Sequence, residues 1–312
     1  MPEPGPDIPS PPRVAAVIVN WNGGALTSAC LEHLPGLGFA DLVLVDNGST
    51  DGSAEAAEAI LAGRAAEILR NPDNRGFARA ANQGMVRALE RGADFVFLLN
   101  NDARMEPTTL PALLEAAARR PRAGLLAGKI LDGGGTRIWC AGVDLGFHHN
   151  LQRMRGFGRP DDGSFEREEE VDALTGCGLL VRRELIEAIG TFDESLFVYV
   201  EDVDYSLRAR DAGFACLYVP GARMTHEASS ASGGGYNAWR KYMVAYDLVL
   251  VLKKRRDLRL WTAFVLIELL GWPLLMLAAI LRERRRAAVA KLRGMVHALL
   301  GREARPPRTR DT

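Results

Sequence analysis

The chain has 312 residues, 47% of them hydrophobic, enough for one large α/β core or two smaller domains. Its formal net charge of +0 gives no sign of the basic excess of a nucleic-acid binder. Four cysteines (Cys30, Cys140, Cys177, Cys216) stand far apart without a CxxC, which argues against a disulfide framework or a zinc site and fits a reducing compartment.

The opening "MPEPGPDIPSPP" is Pro-rich and lacks an apolar run, so residues 1–12 read as a disordered tail and not as a signal peptide. Arg13 to Asn20, "RVAAVIVN", is a Val-rich strand, followed by "WNGG" and a helix from Ala25 to Leu34. Leu42 to Asp46, "LVLVD", is a second strand, then "NGSTDGS" and the helical "AEAAEAILAG". Glu67 to Leu69 makes a short third strand, Phe77 to Arg91 a helix, and Asp94 to Asn100 a strand that ends in Asn100, Asn101 and Asp102. Pro107 to Arg119 suits a helix with proline in its first turn, and Ala123 to Lys129 another strand. Beyond residue 130 the pattern loosens, to return as a strand and helix in "GCGLLVRRELIEAIG", a helix from Glu201 to Ala212, and a strand from Ala215 to Val219 with His226 just beyond it. Alternation on this scale predicts a mostly parallel, doubly wound sheet with ligands outside the carboxyl ends of the strands.

Leu258 to Leu281, "LRLWTAFVLIELLGWPLLMLAAIL", is long enough to span a bilayer if straight. Glu268 in its middle, the Gly271-Trp272-Pro273 break and the basic flanks "KKRRDLR" and "RERRR" disfavour a simple crossing. Residues 282–312 hold 10 Lys/Arg against 3 Asp/Glu, about +7 net. A re-entrant or interfacial hairpin on an anionic membrane surface is expected, the alternative being a helical pair buried against the rest of the chain.

Four polar clusters can carry chemistry. Asp46 at a strand end, before a Gly/Ser/Thr turn, suits a nucleotide, although the same turn can simply cap the next helix. The first strand lacks GxGxxG, which counts against a dinucleotide oxidoreductase. In "NRGFARAANQG", Arg75 can pair with phosphate and Asn82 lies on the helix face of Ala78. Asp102, just past a strand end, can hold Mg²⁺ or Mn²⁺ against a diphosphate, or merely cap a helix. Glu201, Asp202 and Asp204 crowd three acids into four positions; repulsion can raise one pKa as a general base needs, while acids at a helix start are also favoured by the dipole. By helical spacing, 201 and 204 share a face and 202 points elsewhere.

The ordered set "VIVNWN", "VDNGSTDGS", "NRGFARAANQG", "LLNND", "TGCGLLVRREL", "GTFDESLFVYVEDVDYSLRARDAGF" and "VPGARMTH" resembles the inverting glycosyltransferases of family 2, with the GT-A fold. Within these it is most similar to rhamnosyltransferase-like and galactofuranosyltransferase-like bacterial enzymes of cell-envelope polysaccharide synthesis. The resemblance implies a nucleotide-diphosphate sugar donor, a lipid-linked or polysaccharide acceptor, a Mg²⁺ or Mn²⁺ cofactor and no nucleic acid. It implies Asp202 as base with Glu201 assisting, Asp102 and His226 on the metal, and Asn20, Trp21, Asp46, Arg75, Asn82 and Asn101 around the nucleotide sugar. Asn100 stands where a strict DxD has its first acid. The expected organisation is the tail, a catalytic domain over 13–230 and a membrane-associating helical region over 231–312, at the cytoplasmic face of the plasma membrane. A sugar-phosphate nucleotidyltransferase and a non-catalytic nucleotide-sugar-binding protein are the alternatives. The former would want a basic Gly-rich loop after the first strand, and "NWNGGALTSAC" has no basic residue. Nothing in the sequence sets an oligomeric state.

Overall fold

The computed structural model describes residues 11–227, 237–281 and 284–305. Most of the expected Pro-rich tail, and the expected domain boundary at 230/231, lie outside them.

The strands are β1 (Val14–Asn20), β2 (Asp41–Asp46), β3 (Ala66–Arg70), β4 (Phe95–Asn100), β5 (Ala103–Met105), β6 (Ala123–Asp132), β7 (Ile138–Cys140), β8 (Val143–Leu145), β9 (Gln152–Met154), β10 (Glu169–Glu170), β11 (Gly178–Arg182) and β12 (Ala215–His226). The helices are α1 (Gly24–His33), α2 (Ser53–Leu61), α3 (Phe77–Glu90), α4 (Thr109–Arg119), α5 (Arg183–Ile189), α6 (Glu201–Asp211), α7 (Ala238–Arg255), α8 (Leu258–Phe264), α9 (Trp272–Leu281) and α10 (Arg285–Leu299).

Eight strands form one path in the order β10-β12-β6-β11-β4-β1-β2-β3, with β5 on β12 and β7 on β6. β1 pairs in parallel with both β2 and β4, so the chain changes winding direction between them. That is the switch point at which open α/β sheets bind ligands. β11 runs antiparallel between β4 and β6. Val14, Ala16 and Ile18 bury into one side of the sheet and Ala15 and Val17 into the other, which is why the strand reads as an unbroken apolar run.

Two boundaries differ from expectation. α4 begins at Thr109, not Pro107, where Thr109 Oγ1 donates to the Arg223 carbonyl and fixes the helix start against β12. β12 does not stop at Val219. It passes through a register shift between Val219 and Arg223 and continues to His226, because β5 supplies a second partner and pairs Ala103 with His226. Asp102 and His226 are neighbours for that reason.

The segment expected to form a hairpin is one bent helix. α8 passes into a π-helical turn (Val265–Leu270), and α9 departs at 49°. No single helix among the described residues is long and apolar enough to cross a membrane, though this bent pair passes by length and composition. Glu268 faces protein: it is fully buried, its carboxylate accepting Lys291 Nζ at 2.5 Å and Asn150 N–H at 2.6 Å. The opposite face leaves Leu258, Leu266, Leu270, Leu274, Leu277, Ile280 and Leu281 exposed.

Candidate active site

A cavity of about 290 Å³ opens at the carboxyl ends of β1 and β4. Trp21, Asn101, Asp102, Glu201, Asp202 and His226, six of the residues singled out in the sequence, line it together.

On one side, His226 Nε2 lies 3.0 Å from Asp102 Oδ1 and 3.2 Å from Asn100 Nδ2. The Trp139 ring meets the imidazole edge to face at 4.6 Å. His226 Nδ1 is buried without a hydrogen-bond partner among the described residues. A carboxylate and an imidazole suit a divalent cation such as Mn²⁺. The two atoms stand within hydrogen-bonding distance of each other and would be the protein's donors to such a cation. Two protein donors leave the remaining positions for water and phosphate oxygens. No group of three or more His, Cys, Asp or Glu gathers for a metal among the described residues.

On the other side, α6 begins at Glu201. Asp202 Oδ2 accepts the Gly176 N–H at 3.0 Å and its Oδ1 the Val203 N–H at 2.8 Å. Glu201 is 5% exposed, and its Oε2 accepts the Val200 N–H at 3.0 Å. Burial holds both carboxyls above the usual range, and the proximity of Asp202 adds to the effect on Glu201. The helical-face expectation fails here. Glu201 and Asp202 both reach the cavity because Glu201 folds back over the helix start, whereas Asp204 turns away to Arg208 at 2.8 Å.

Four expected residues do not line the cavity. Asn20 is fully buried and acts as a hub: its Nδ2 is 2.9 Å from Asp46 Oδ1 and 2.9 Å from Ser53 Oγ, and its Oδ1 accepts Thr27 Oγ1–H at 2.7 Å. Asp46 is likewise buried behind the wall, accepting the Ser49 N–H at 3.2 Å. Gly23 packs against the same hub so closely that a Cβ there would lie 2.2 Å from Asn101 Nδ2. Arg75 is turned to Asp73 at 3.3 Å. Asn82 is spent on the chain before α6, accepting the Phe192 N–H and donating to the Phe192 carbonyl, each at 2.9 Å. Its partner lies 110 residues away, so helical spacing alone could not reveal it.

Sequence reasoning missed Asn47, Asn74, Thr175, Tyr199, Trp239 and Arg240, all in the cavity wall. The run "LFVYVED" held a signal for one of them, since its aromatic residues directly precede the acids. Tyr199 takes a left-handed backbone, φ 88°, a strained conformation for a residue with a side chain. The loop is held from two directions. The Phe77 N–H donates to Phe197 O at 2.8 Å, and the buried Asp247 of α7 accepts the N–H groups of Phe197 and Val198 at 3.2 Å each.

A larger groove of about 1140 Å³ contains none of the expected site residues. Three of its arginines are paired with its own acids, Arg153 with Asp144 at 2.6 Å, Arg210 with Asp172 at 2.9 Å, and Arg155 with Glu169.

Residues 11–238 match a family model described as "Glycosyltransferase like family 2". The chain is 32% identical over 212 residues to an N-acetylglucosaminyl-diphospho-decaprenol L-rhamnosyltransferase of Mycobacterium tuberculosis, covering 62% of this chain and 68% of that protein. Among solved structures, it is similar to the mannosyltransferase PcManGT of Pyrobaculum calidifontis in complex with GDP-Man and Mn²⁺, with a TM-score of 0.61, 18% identity, 94% of this chain and 88% of that one covered. It is also similar to GalNAc-T7 with UDP, GalNAc and Mn²⁺, with a TM-score of 0.57 and 16% identity. That match covers 77% of this chain and 47% of GalNAc-T7, so the chain spans about half its length. These neighbours share the GT-A fold.

Proposed function

The chain belongs to glycosyltransferase family 2, and from that premise we propose that it transfers a rhamnosyl or related hexosyl group from a nucleotide diphosphate to a lipid-linked glycan of the cell envelope, with inversion. The carrying observation is that one cavity is lined both by an acid pair, Glu201 and Asp202, and by Asp102 with His226. In-line displacement needs a base and a partner for the leaving group within one site, acting on opposite faces of the sugar.

Asp202 is the base. Its two backbone hydrogen bonds fix the carboxylate, and burial raises its affinity for the incoming proton. It takes the proton of the acceptor hydroxyl as that oxygen bonds to the anomeric carbon, and the bond from that carbon to the diphosphate oxygen breaks. Glu201 beside it, held still closer to neutrality by burial and by Asp202, helps to position the acceptor. Asp102 and His226 would hold a Mg²⁺ or Mn²⁺ ion, which supplies charge neutralisation for the departing diphosphate. Trp21, Asn101 and Asn74 line the side of the cavity assigned to the nucleotide sugar. Asn20 and Asp46 support that wall from behind, and Arg75 stands outside it.

The M. tuberculosis relative's name specifies a lipid diphosphate acceptor, which supports the same acceptor class here. The exposed leucines of α8 and α9, with Lys253, Lys254, Arg256 and Arg285 in the adjoining segments, support peripheral attachment to an anionic membrane at its cytoplasmic face. The catalytic unit is assigned to 13–230 and the attachment region to 231–312. The test is a panel of nucleotide sugars with Mg²⁺ or Mn²⁺ and a prenyl-diphosphate-linked sugar, scored by glycosylated product. Product from a rhamnosyl or hexosyl donor is expected. Donor turnover that survives Asp202→Asn and Asp102→Ala unchanged sinks the mechanism.

A further inference from the structure

The wall beside the acid pair contains groups that the reaction described above does not use. Trp239, Arg240 and Val244 of α7 line the cavity together with Tyr199, Glu201 and Asp202. The Arg240 guanidinium lies over the Tyr199 ring at 5.2 Å, and the Trp239 ring meets Tyr199 edge to face at 6.0 Å. Trp239, Arg240 and Val244 lie just past residue 238, where the family match ends.

Among the described residues lining the cavity, Arg240 is the one Lys or Arg. Through Tyr199, two residues before Glu201, it is tied to the loop that leads into the acid pair, whereas the donor diphosphate is assigned above to Asp102 and His226. A neutral acceptor sugar needs aromatic faces and hydroxyl partners. A planar guanidinium fork is suited to a phosphate, which it can bind through two parallel hydrogen bonds. The positive charge continues behind Arg240. Burial, then Lys291 and Arg240, push Lys241 down to about 8, with Arg284 acting in the same direction and Glu268 against it. A cationic group so crowded gains from an anion brought among it.

We propose that Tyr199, Trp239 and Arg240 form the acceptor subsite, with Arg240 binding the diphosphate through which the acceptor sugar is joined to its lipid. This rests on the glycosyltransferase reading given above and extends it to the acceptor. Tyr199 and Trp239 offer the sugar aromatic faces, and the strained Tyr199 backbone sets the ring that carries the guanidinium two residues before Glu201. Arg240 draws the phosphate to the mouth, which orients the sugar hydroxyl toward Asp202.

The experiment compares two acceptors bearing the same sugar and the same short prenyl chain, one joined through a diphosphate and one as a neutral glycoside. Initial rates are measured with the wild-type full-length chain, Arg240→Gln and Arg240→Lys. For Arg240→Gln the ratio of the two KM values is expected to move about tenfold or more against the diphosphate acceptor, the loss typical of a charge-assisted hydrogen bond. Arg240→Lys, which keeps the charge without the fork, falls between. Equal weakening of both acceptors by both variants overturns the subsite. An inorganic pyrophosphate series separates the lipid-borne group from a free one. Relief of inhibition in Arg240→Gln supports the proposal, and pyrophosphate that inhibits both proteins equally counts against it. Failure of the wild-type chain to glycosylate either acceptor would instead sink the reading on which the subsite rests.

Discussion

Asp247 of α7 accepts the Phe197 backbone N–H at 3.2 Å and, with the same oxygen, the Val198 N–H at 3.2 Å. Its other oxygen is buried without a partner among the described residues. α7 thereby holds the loop that leads into the acid pair, and Asp247 is a positioning residue. Asp247→Ala leaves two N–H groups without their acceptor and should cost about 1–3 kcal/mol for each that is fully buried, with a fall in kcat larger than any rise in KM. Asp247→Asn keeps an acceptor for both N–H groups and should restore most of the kcat. Burial lifts Asp247 to about 7, so between about pH 4 and pH 7 the native state holds a proton that the unfolded chain has released. Stability from this group therefore falls as pH rises through that window. Chemical unfolding at several pH values should show the Asp247→Asn protein gaining on the wild type as pH increases.

Asp202→Asn should lower kcat by about 10²–10⁴-fold, the range of a lost general base. Asparagine keeps an acceptor for one of the two backbone N–H groups and removes a charge that burial disfavours, so the melting temperature at pH 8 should change little. A severe fall in melting temperature would assign Asp202 to structure instead. The acid limb of kcat/KM should lie above the pH at which an ordinary aspartate titrates, since the acid pair is held upward by burial. A limb near pH 4 would count against Asp202 as the base.

Mn²⁺ should raise the melting temperature in the presence of a nucleoside diphosphate, by an increment that grows with ligand concentration relative to its Kd. Asp102→Ala and His226→Ala should each abolish most of that increment, because either loss halves the protein's share of the ligand set. An unchanged Mn²⁺ response in both variants would place the ion elsewhere.

Leu274→Asp with Leu277→Asp puts two charges on the exposed face of α9 and should reduce co-sedimentation with anionic vesicles while leaving the fold intact, as both residues are exposed in the protein itself. Glu268→Ala is the contrasting case. It strands Lys291, 3% exposed, without the carboxylate, and should cost about 3–5 kcal/mol of stability. Vesicle binding that persists unchanged in the double Asp variant would remove α9 from the membrane contact.

The long strands of the sheet were legible because Val- and Leu-rich runs buried on both faces have few other homes, and their polar ends marked the ligand edge; the short β5, β7, β8, β9 and β10 were not, since two or three residues carry no pattern. The motifs that hold Glu201, Asp202 and His226 stood out as an ordered set, but the strand expected to end at Val219 runs on to His226. What escaped was lateral. Asn82 looks like a ligand-facing amide until Phe192 is folded onto it, and Asn20 looks like a wall residue until the helix starts close around it. Arg240 and Trp239 went unread because their ring partner, Tyr199, lies in a distant loop that only the fold brings against α7. Asp247 was the visible anomaly, a single acid within "AYDLVLVL", where only a buried backbone partner makes the charge tolerable.

The Asn20 hub ties four separate pieces of chain to one amide: Gly23 and Thr27 at the start of α1, Asp46 at the end of β2, Ser49 and Ser53 around the start of α2, and Asn101 after β4. These pieces cannot wander independently once the fold is made. Their ordering entropy is lost at folding, on the order of 1–2 kcal/mol for each residue fixed, so a ligand arriving at that wall has little left to order. Asn20→Ala should therefore make binding at this wall weaker through entropy while its enthalpy changes little, a signature calorimetry reads directly and that loss of a contacting group would reverse.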